Sequence, residues 1–223
     1  MPDSQPVIRR ANERFCTRTS EGDKETWHSF SFGNHYDPNR IGFGPLMAIN
    51  EERLAPGAGY EPHKHAGVDI LTWVLSGTLK HEDSTGDGGL IRQGTLQHLN
   101  AGSGVTHSEV NASTTEPLVF VQMMVRADAD VTPHYGQIEI SEGPGLHRGP
   151  EVTADAVVYI ARLASGDTVL TPEATAVFLH VTVGAINVAG EILEAGDEWA
   201  GPSRLLTEIT GVSASEAILW LVE

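Results

Sequence analysis

A single cysteine, Cys16, stands in the whole chain. That excludes an internal disulfide, suits a reducing compartment and leaves Cys16 the role of a small, buried or half-buried side chain. No run of about 18 apolar residues is present, so no segment has the length that a membrane-crossing helix needs. Cations are scarce, 14 Lys and Arg against 30 Asp and Glu for a net charge of -16. Direct nucleic-acid recognition, which needs clustered cations, is therefore not expected. Arg9, Arg10, Arg14 and Arg18 gather near the N-terminus, where so acidic a chain is expected to hold them in local ion pairs. Residues 1–18 carry no apolar segment followed by a small-residue cleavage site, and the expected location is cytoplasmic.

Helical periodicity is nearly absent too, and short β-strand patterns take its place. Strands are expected over Thr26–Phe32, Leu46–Leu54, Ile70–Leu75, Leu79–Asp83, Ile91–Leu99 and Pro117–Val125, separated by Gly, Pro, Asn and Asp turns. Between Asp128 and Pro150 the composition shifts to Pro, Gly, His and charge, the character of a linker. Strands resume at Val157–Leu163, Ala176–Val183, Ala185–Gly190, Arg204–Ile209 and Ala217–Val222, in an order that echoes the first half. Two all-β domains are expected, 1–140 and 141–223, each a sandwich or barrel.

Chemistry concentrates in two pairs. His63 and His65 are two residues apart, so on a strand both imidazoles project from one face; His107 and Glu109 repeat the spacing on a second strand. Three imidazole nitrogens and one carboxylate oxygen suit a single divalent first-row transition metal better than calcium or magnesium. Gly102-Ser103-Gly104 precedes the second pair and permits backbone angles that other residues resist. In the second half His147 and His180 stand alone, so the metal is expected in the first domain only. Trp73, Leu75, Phe43 and Met47 are candidate pocket walls, with His35 and Tyr36 approaching from a loop. His28, His81 and His98 receive no metal role.

Gly57-x5-His63-x-His65-x3-Asp69 with Gly77 resembles the first cupin motif, and Gly94 through Gly104 to His107-x3-Asn111 the second. More narrowly, His28-Ser29-Phe30-Ser31-Phe32-Gly33, Tyr36-Asp37-Pro38, Gly42-Phe43-Gly44-Pro45, the two ligand pairs, His81-x-Asp83-Ser84 and Ala101-Gly102-x-Gly104 together resemble the pirin family over most of residues 26–136. The resemblance implies a bicupin of two tandem jelly-roll β-barrels. Its N-terminal barrel would bind iron(II) through His63, His65, His107 and Glu109, with Ni, Mn, Co, Cu or Zn as other metals. It also implies a quercetin 2,3-dioxygenase-like activity on a small aromatic or enol substrate; in such a reaction Glu109 is the candidate catalytic base, since a general base must lie within hydrogen-bonding reach of the proton it takes. The alternative is an iron-dependent redox sensor acting through a protein partner; a monomer that binds no membrane is expected in either case. Three residues depart from the pattern: Asp69 where cupins carry glutamate, Lys64 where many pirins carry proline, and His98 where an apolar or aromatic residue is usual.

Overall fold

The computed structural model describes residues 5–223. Contacts divide the chain into two units. One comprises Phe15–Glu139 with Val152–Ala154, the other, among the described residues, 5–14, Ile140–Glu151 and Asp155–Glu223. The sequence division at 140 therefore needs two exchanges. The early strand Val7–Arg9 pairs with Glu198–Pro202 in the second unit, and residues 152–154 belong to the first. The stretch expected to be a linker is also structured: His134–Glu139 is an edge strand of the first unit and Gly145–Arg148 one of the second. Pro133 lies just before the former strand, a position where its missing N–H removes no ladder bond.

The first unit is two antiparallel sheets. The larger runs His134–Glu139, Thr95–Asn100, Val68–Ser76, Leu118–Arg126, Leu46–Leu54, Lys24–His28, Phe15–Arg18; the smaller runs Gly59–His65, Val105–Asn111, Thr78–Asp83, Gly88–Arg92. The stretch read as one strand from Ile91 to Leu99 is two, in different sheets, turned at Gly94. The strand expected to reach Phe32 ends at His28. In the second unit the four central strands of the large sheet are Glu198–Pro202, Ala176–Val183, Ser215–Val222 and Ala156–Leu163. The small sheet is Thr168–Leu170, Glu208–Gly211, Ala185–Val188 and Glu191–Glu194. The order of connection is the same in both units, so the echo in the sequence is a repeated jelly roll. The arginines near the N-terminus do make ion pairs, Arg10 with Glu191 and Asp197, Arg14 with Glu198, Arg18 with Glu25.

Register explains where the first unit keeps polarity. Across its large sheet, His28 pairs with Asn50, Asn50 with Gln122, Gln122 with Thr72 and Thr72 with Gln97. All five are buried. Two residues away on the same face one row is apolar, Ala48, Met124, Ile70 and Leu99, and the other carries Phe120 and Val74 beside Glu52. The apolar residues of the two rows belong to two separate hydrophobic clusters. Side chains on a strand alternate faces, so cross-strand partners share one. A polar band therefore crosses a largely apolar interior.

Candidate metal centre

The strand Val105–Asn111 alternates strictly, with Val105, His107, Glu109 and Asn111 buried and the residues between them more open. Period two alone brings His107 and Glu109 to the interior. His107 pairs with His63 and Val105 with His65, but Glu109 pairs with Tyr60, so the register slips by one residue. The extra residue falls in Tyr60-Glu61-Pro62-His63, where Pro62 has no N–H to give the ladder, and such bulges re-aim the side chains beside them. Close approach is needed on this edge, because a Cβ at Gly59 would collide with the Glu109 carbonyl.

The structure brings His63, His65 and His107 together, one ring nitrogen of each lying within 4.8 Å of the others. Glu109 falls in a second such group with His107 and His81, so His107 is shared between them. The four residues read from the sequence thus adjoin through His107 rather than forming one compact cluster, and His81 stands nearer than the sequence indicated. Among the four residues read from the sequence, three buried acceptor atoms have no hydrogen-bond partner: His65 Nε2, His107 Nε2 and Glu109 Oε1. Leaving such atoms unpaired costs about 1–3 kcal/mol each; a cation among His63, His65 and His107 would satisfy the two imidazole nitrogens, and Glu109 Oε1 adjoins that group through His107. Three imidazoles and a carboxylate fit a single divalent transition metal.

Tautomers follow from the partners. His63 Nδ1 donates to the Glu61 carbonyl at 2.8 Å, leaving Nε2 as its acceptor. Asp83 can only accept, so His81 Nε2 carries the proton at 3.4 Å and its Nδ1 is bare. His107 Nδ1 lies 3.5 Å from that bare nitrogen and donates to it, which deprotonates His107 Nε2, the form a metal requires. Asp83 is anchored in turn by the backbone and hydroxyl of Thr85, at 2.8 and 2.6 Å. The His81 ring stacks on Tyr135, with centroids 4.9 Å apart.

Burial disfavours the charged form of His65 and His107. It lowers His65 to about 4, with the neighbouring His63 adding to the effect. It lowers His107 to about 3, reinforced by His63, His81 and His65 and opposed by Asp83. Burial raises Glu109 to about 7 against a 2.7 Å hydrogen bond from Gln122 Nε2 to Oε2; the Glu52 charge adds to the rise and Thr72 weakly opposes it. Gln122 thereby fixes one carboxylate oxygen and leaves the other for a ligand.

His63, His65 and Glu109 line a cavity of about 440 Å3 together with Thr26, His28, Phe32, Glu52, Tyr60, Gln122 and Met124. The walls expected from the sequence are placed elsewhere. Trp73 is fully buried, and neither it nor Leu75, Phe43 or Met47 lines this cavity. Strand parity takes Trp73, Leu75 and Met47 away from it, and loop position takes Phe43. From the loop, Gly33 and Asn34 reach the cavity while His35 stacks on Phe15 with centroids 4.0 Å apart. Tyr36 is 75% exposed. Gln122, Thr72 and Glu52 were missed, although a lone polar residue inside an apolar strand run, as in Leu118–Arg126, is a legible sign of such a position.

Asp69 lies outside the centre. Its Oδ1 accepts from His98 Nε2 and Asn100 Nδ2, both at 2.7 Å, and its Oδ2 from the Thr153 backbone at 2.8 Å. Two of the departures from the family pattern, Asp69 and His98, are thus the two ends of one hydrogen bond. Lys64 points outward between the two ligand histidines, on the exposed face of its strand.

The pirin family model matches residues 10–125. A Mycobacterium tuberculosis relative, provisionally named a quercetin 2,3-dioxygenase, is 39% identical over 236 residues, covering 96% of this chain and 93% of its own. The quercetin 2,3-dioxygenase of Escherichia coli K12 is 41% identical over 131 residues, 58% of this chain and 56% of its own. The crystal structure of the bacterial pirin YhhW from Escherichia coli in complex with nickel(II) is 30% identical, with a TM-score of 0.91 and coverage of 98% of this chain and 99% of that one.

Proposed function

The chain belongs to the pirin family, and we propose that it is a metal-dependent dioxygenase that opens a flavonol or related enol with dioxygen, using one metal held by His63, His65, His107 and Glu109. The observation that carries this reading is the meeting of unpaired buried acceptors with an open cavity of about 440 Å3. That volume lies in the range that holds small organic ligands, and mostly apolar walls with a few convergent polar groups suit a planar aromatic one. A metal sealed from ligands would have favoured the redox-sensor reading; the cavity favours the enzyme. The names of the relatives from Mycobacterium tuberculosis and Escherichia coli point the same way.

When bound, a divalent metal such as iron(II) supplies Lewis-acid and redox chemistry toward an enolate and dioxygen. The chain's own part is positioning and proton transfer. Phe32 and Met124 exclude water and offer apolar surface to the ring. Glu109 lines the cavity beside His63 and His65 and is the candidate acceptor of the enol proton, with Gln122 holding its Oε2.

Anaerobic loading with ferrous iron, followed by oxygen uptake with quercetin and without substrate, tests the proposal. Substrate-dependent uptake that disappears in His107→Ala is the expected result. No uptake from protein holding one equivalent of iron would overturn it and transfer support to the redox sensor.

A further inference from the structure

The cavity wall carries an acidic group that the metal does not use. Glu52 lies two residues beyond Asn50 on Leu46–Leu54, in the inner row where Phe120 and Val74 are its neighbours, and only 4% of it is exposed. A carboxyl in such surroundings is destabilising unless its oxygens are bonded. The Thr26 and Tyr60 hydroxyls both donate to it, each at 2.7 Å, and both converge on Oε2. Oε1 receives neither, and Glu52 lines the cavity that holds His63, His65 and Glu109. Tyr60 ties the two groups together, since it bonds Glu52 and pairs with Glu109 across the strands.

What such a carboxyl recognises is a hydrogen-bond donor. Drawing an ammonium group out of water beside a carboxyl that is itself only 4% exposed costs desolvation that their attraction repays only in the best geometry. A neutral hydroxyl brings no such penalty. His28, Phe32 and Met124 supply ring and thioether surface in the same cavity, so the donor is expected on a flat, largely apolar ligand.

We propose that Glu52, oriented by Thr26 and Tyr60, is a hydroxyl-recognition residue whose Oε1 accepts a hydrogen bond from a ring hydroxyl of the substrate other than the enol that meets the metal ligands. This rests on the dioxygenase reading and narrows its substrate class to polyhydroxylated aromatic enols.

The test is anaerobic calorimetric titration of nickel-loaded protein with quercetin and with 3-hydroxyflavone, which keeps the enol and lacks the other ring hydroxyls. The chain should prefer quercetin by roughly ten- to hundredfold, the value of a hydrogen bond to a carboxylate. Glu52→Leu should reduce that preference to within about threefold, and Glu52→Gln, which keeps an acceptor oxygen at similar reach, should retain most of it. Nickel uptake reports that each variant is folded. Should Glu52→Leu not fold, Tyr60→Phe decides, because freeing Glu52 from one of its two tethers should lower the preference in part; an unchanged preference there overturns the subsite. Equal affinities of the unmodified chain for the two flavonols, or a Glu52→Leu protein with undiminished preference, overturn it while the dioxygenase reading stands. Binding of neither flavonol overturns both.

Discussion

Replacing His81 by phenylalanine isolates the chain of hydrogen bonds that sets the His107 tautomer. Phe keeps a ring of similar size against Tyr135, now 4.9 Å away centroid to centroid, and removes both nitrogens. His81 is fully buried, so no bulk water replaces it at His107 Nδ1. Without metal, His107 in the variant can place its proton on Nε2 and leave Nδ1 bare. Metal binding forces the proton back to Nδ1, where it has no acceptor, so the penalty of an unpaired buried donor, about 1–3 kcal/mol, falls on the metal-bound state alone. At about 1.4 kcal/mol per tenfold, that is roughly a five- to hundredfold loss of affinity, in line with the 10–100-fold range for partners of metal-bound histidines. Asp83→Asn should cost less, since an amide oxygen still accepts from His81 Nε2. Nickel(II) titration against a competing chelator measures the affinity, and thermal unfolding in chelator checks the fold. A folded His81→Phe protein with unaltered nickel affinity would refute the relay.

His63→Ala and His107→Ala should lose stoichiometric metal and oxygen uptake together, whereas Glu109→Gln should keep part of the metal and lose turnover. Metal analysis beside an oxygen electrode separates these outcomes, and full activity in metal-free His63→Ala would refute the site. Asp69→Asn should destabilise the fold by about 2 kcal/mol at neutral pH, because it weakens hydrogen bonds to a buried anion. Burial alone would raise the Asp69 carboxyl, but bonds from His98 and Thr153 hold it below its usual 3.8. Its stabilising contribution is therefore complete above the unfolded-state value and is lost as pH falls from near 4 through the lower folded value. Denaturant melts of the variant should show a shallower decline than the parent across that window, and equal slopes would count against the assignment. Nickel at a hundred times its dissociation constant should add about 2.7 kcal/mol to unfolding stability, reversed by chelator; a melt that ignores nickel would mean no folded-state site.

Much of this was legible because period two acts locally. The alternation in Val105–Asn111 reads straight off Val-Thr-His-Ser-Glu-Val-Asn, and it delivers His107 and Glu109 inward with no knowledge of the partner strand. What escaped depends on register. Asp69 and His98 look like two independent departures until Asp69 is set opposite Asn100, which places His98 diagonally across from it. The polar row from His28 to Gln97 draws on five strands and cannot be assembled without their pairing. Nor could local pattern reveal that Val7–Arg9 pairs with Glu198–Pro202, because three residues carry little signal and their partner lies almost the whole chain away. The misread linker has another cause: Pro133 and Gly143-Pro144-Gly145 flank short edge strands, whose composition resembles that of loops.

The repeated topology shows what a site demands of this frame. In the second unit the strands equivalent to the two ligand strands are Thr168–Leu170 and Glu208–Gly211, three and four residues long against seven and seven. Val169 pairs with Ile209, and both join the hydrophobic cluster that holds Leu179, Ile186, Trp199 and Leu219. Each fully buried aliphatic side chain of that kind stabilises by about 1.5–3 kcal/mol. The first unit forgoes that gain across a whole row, placing Asn50, Gln122, Thr72 and Gln97 between two apolar clusters and leaving acceptors such as Glu109 Oε1 without a partner. Nothing in the strand order requires this, since the second unit fills the equivalent row with Trp199, Leu179 and Leu219. A sequence that keeps buried polar groups in a row where its own repeat keeps large apolar side chains departs from the stablest filling there, and departures of that kind concentrate where a protein binds or reacts. The polar row is therefore better evidence for a working centre than the histidine motifs alone, because a chain retaining His63, His65 and His107 over an apolar row would still present a metal-ligand pattern but would have no Gln122 to orient Glu109.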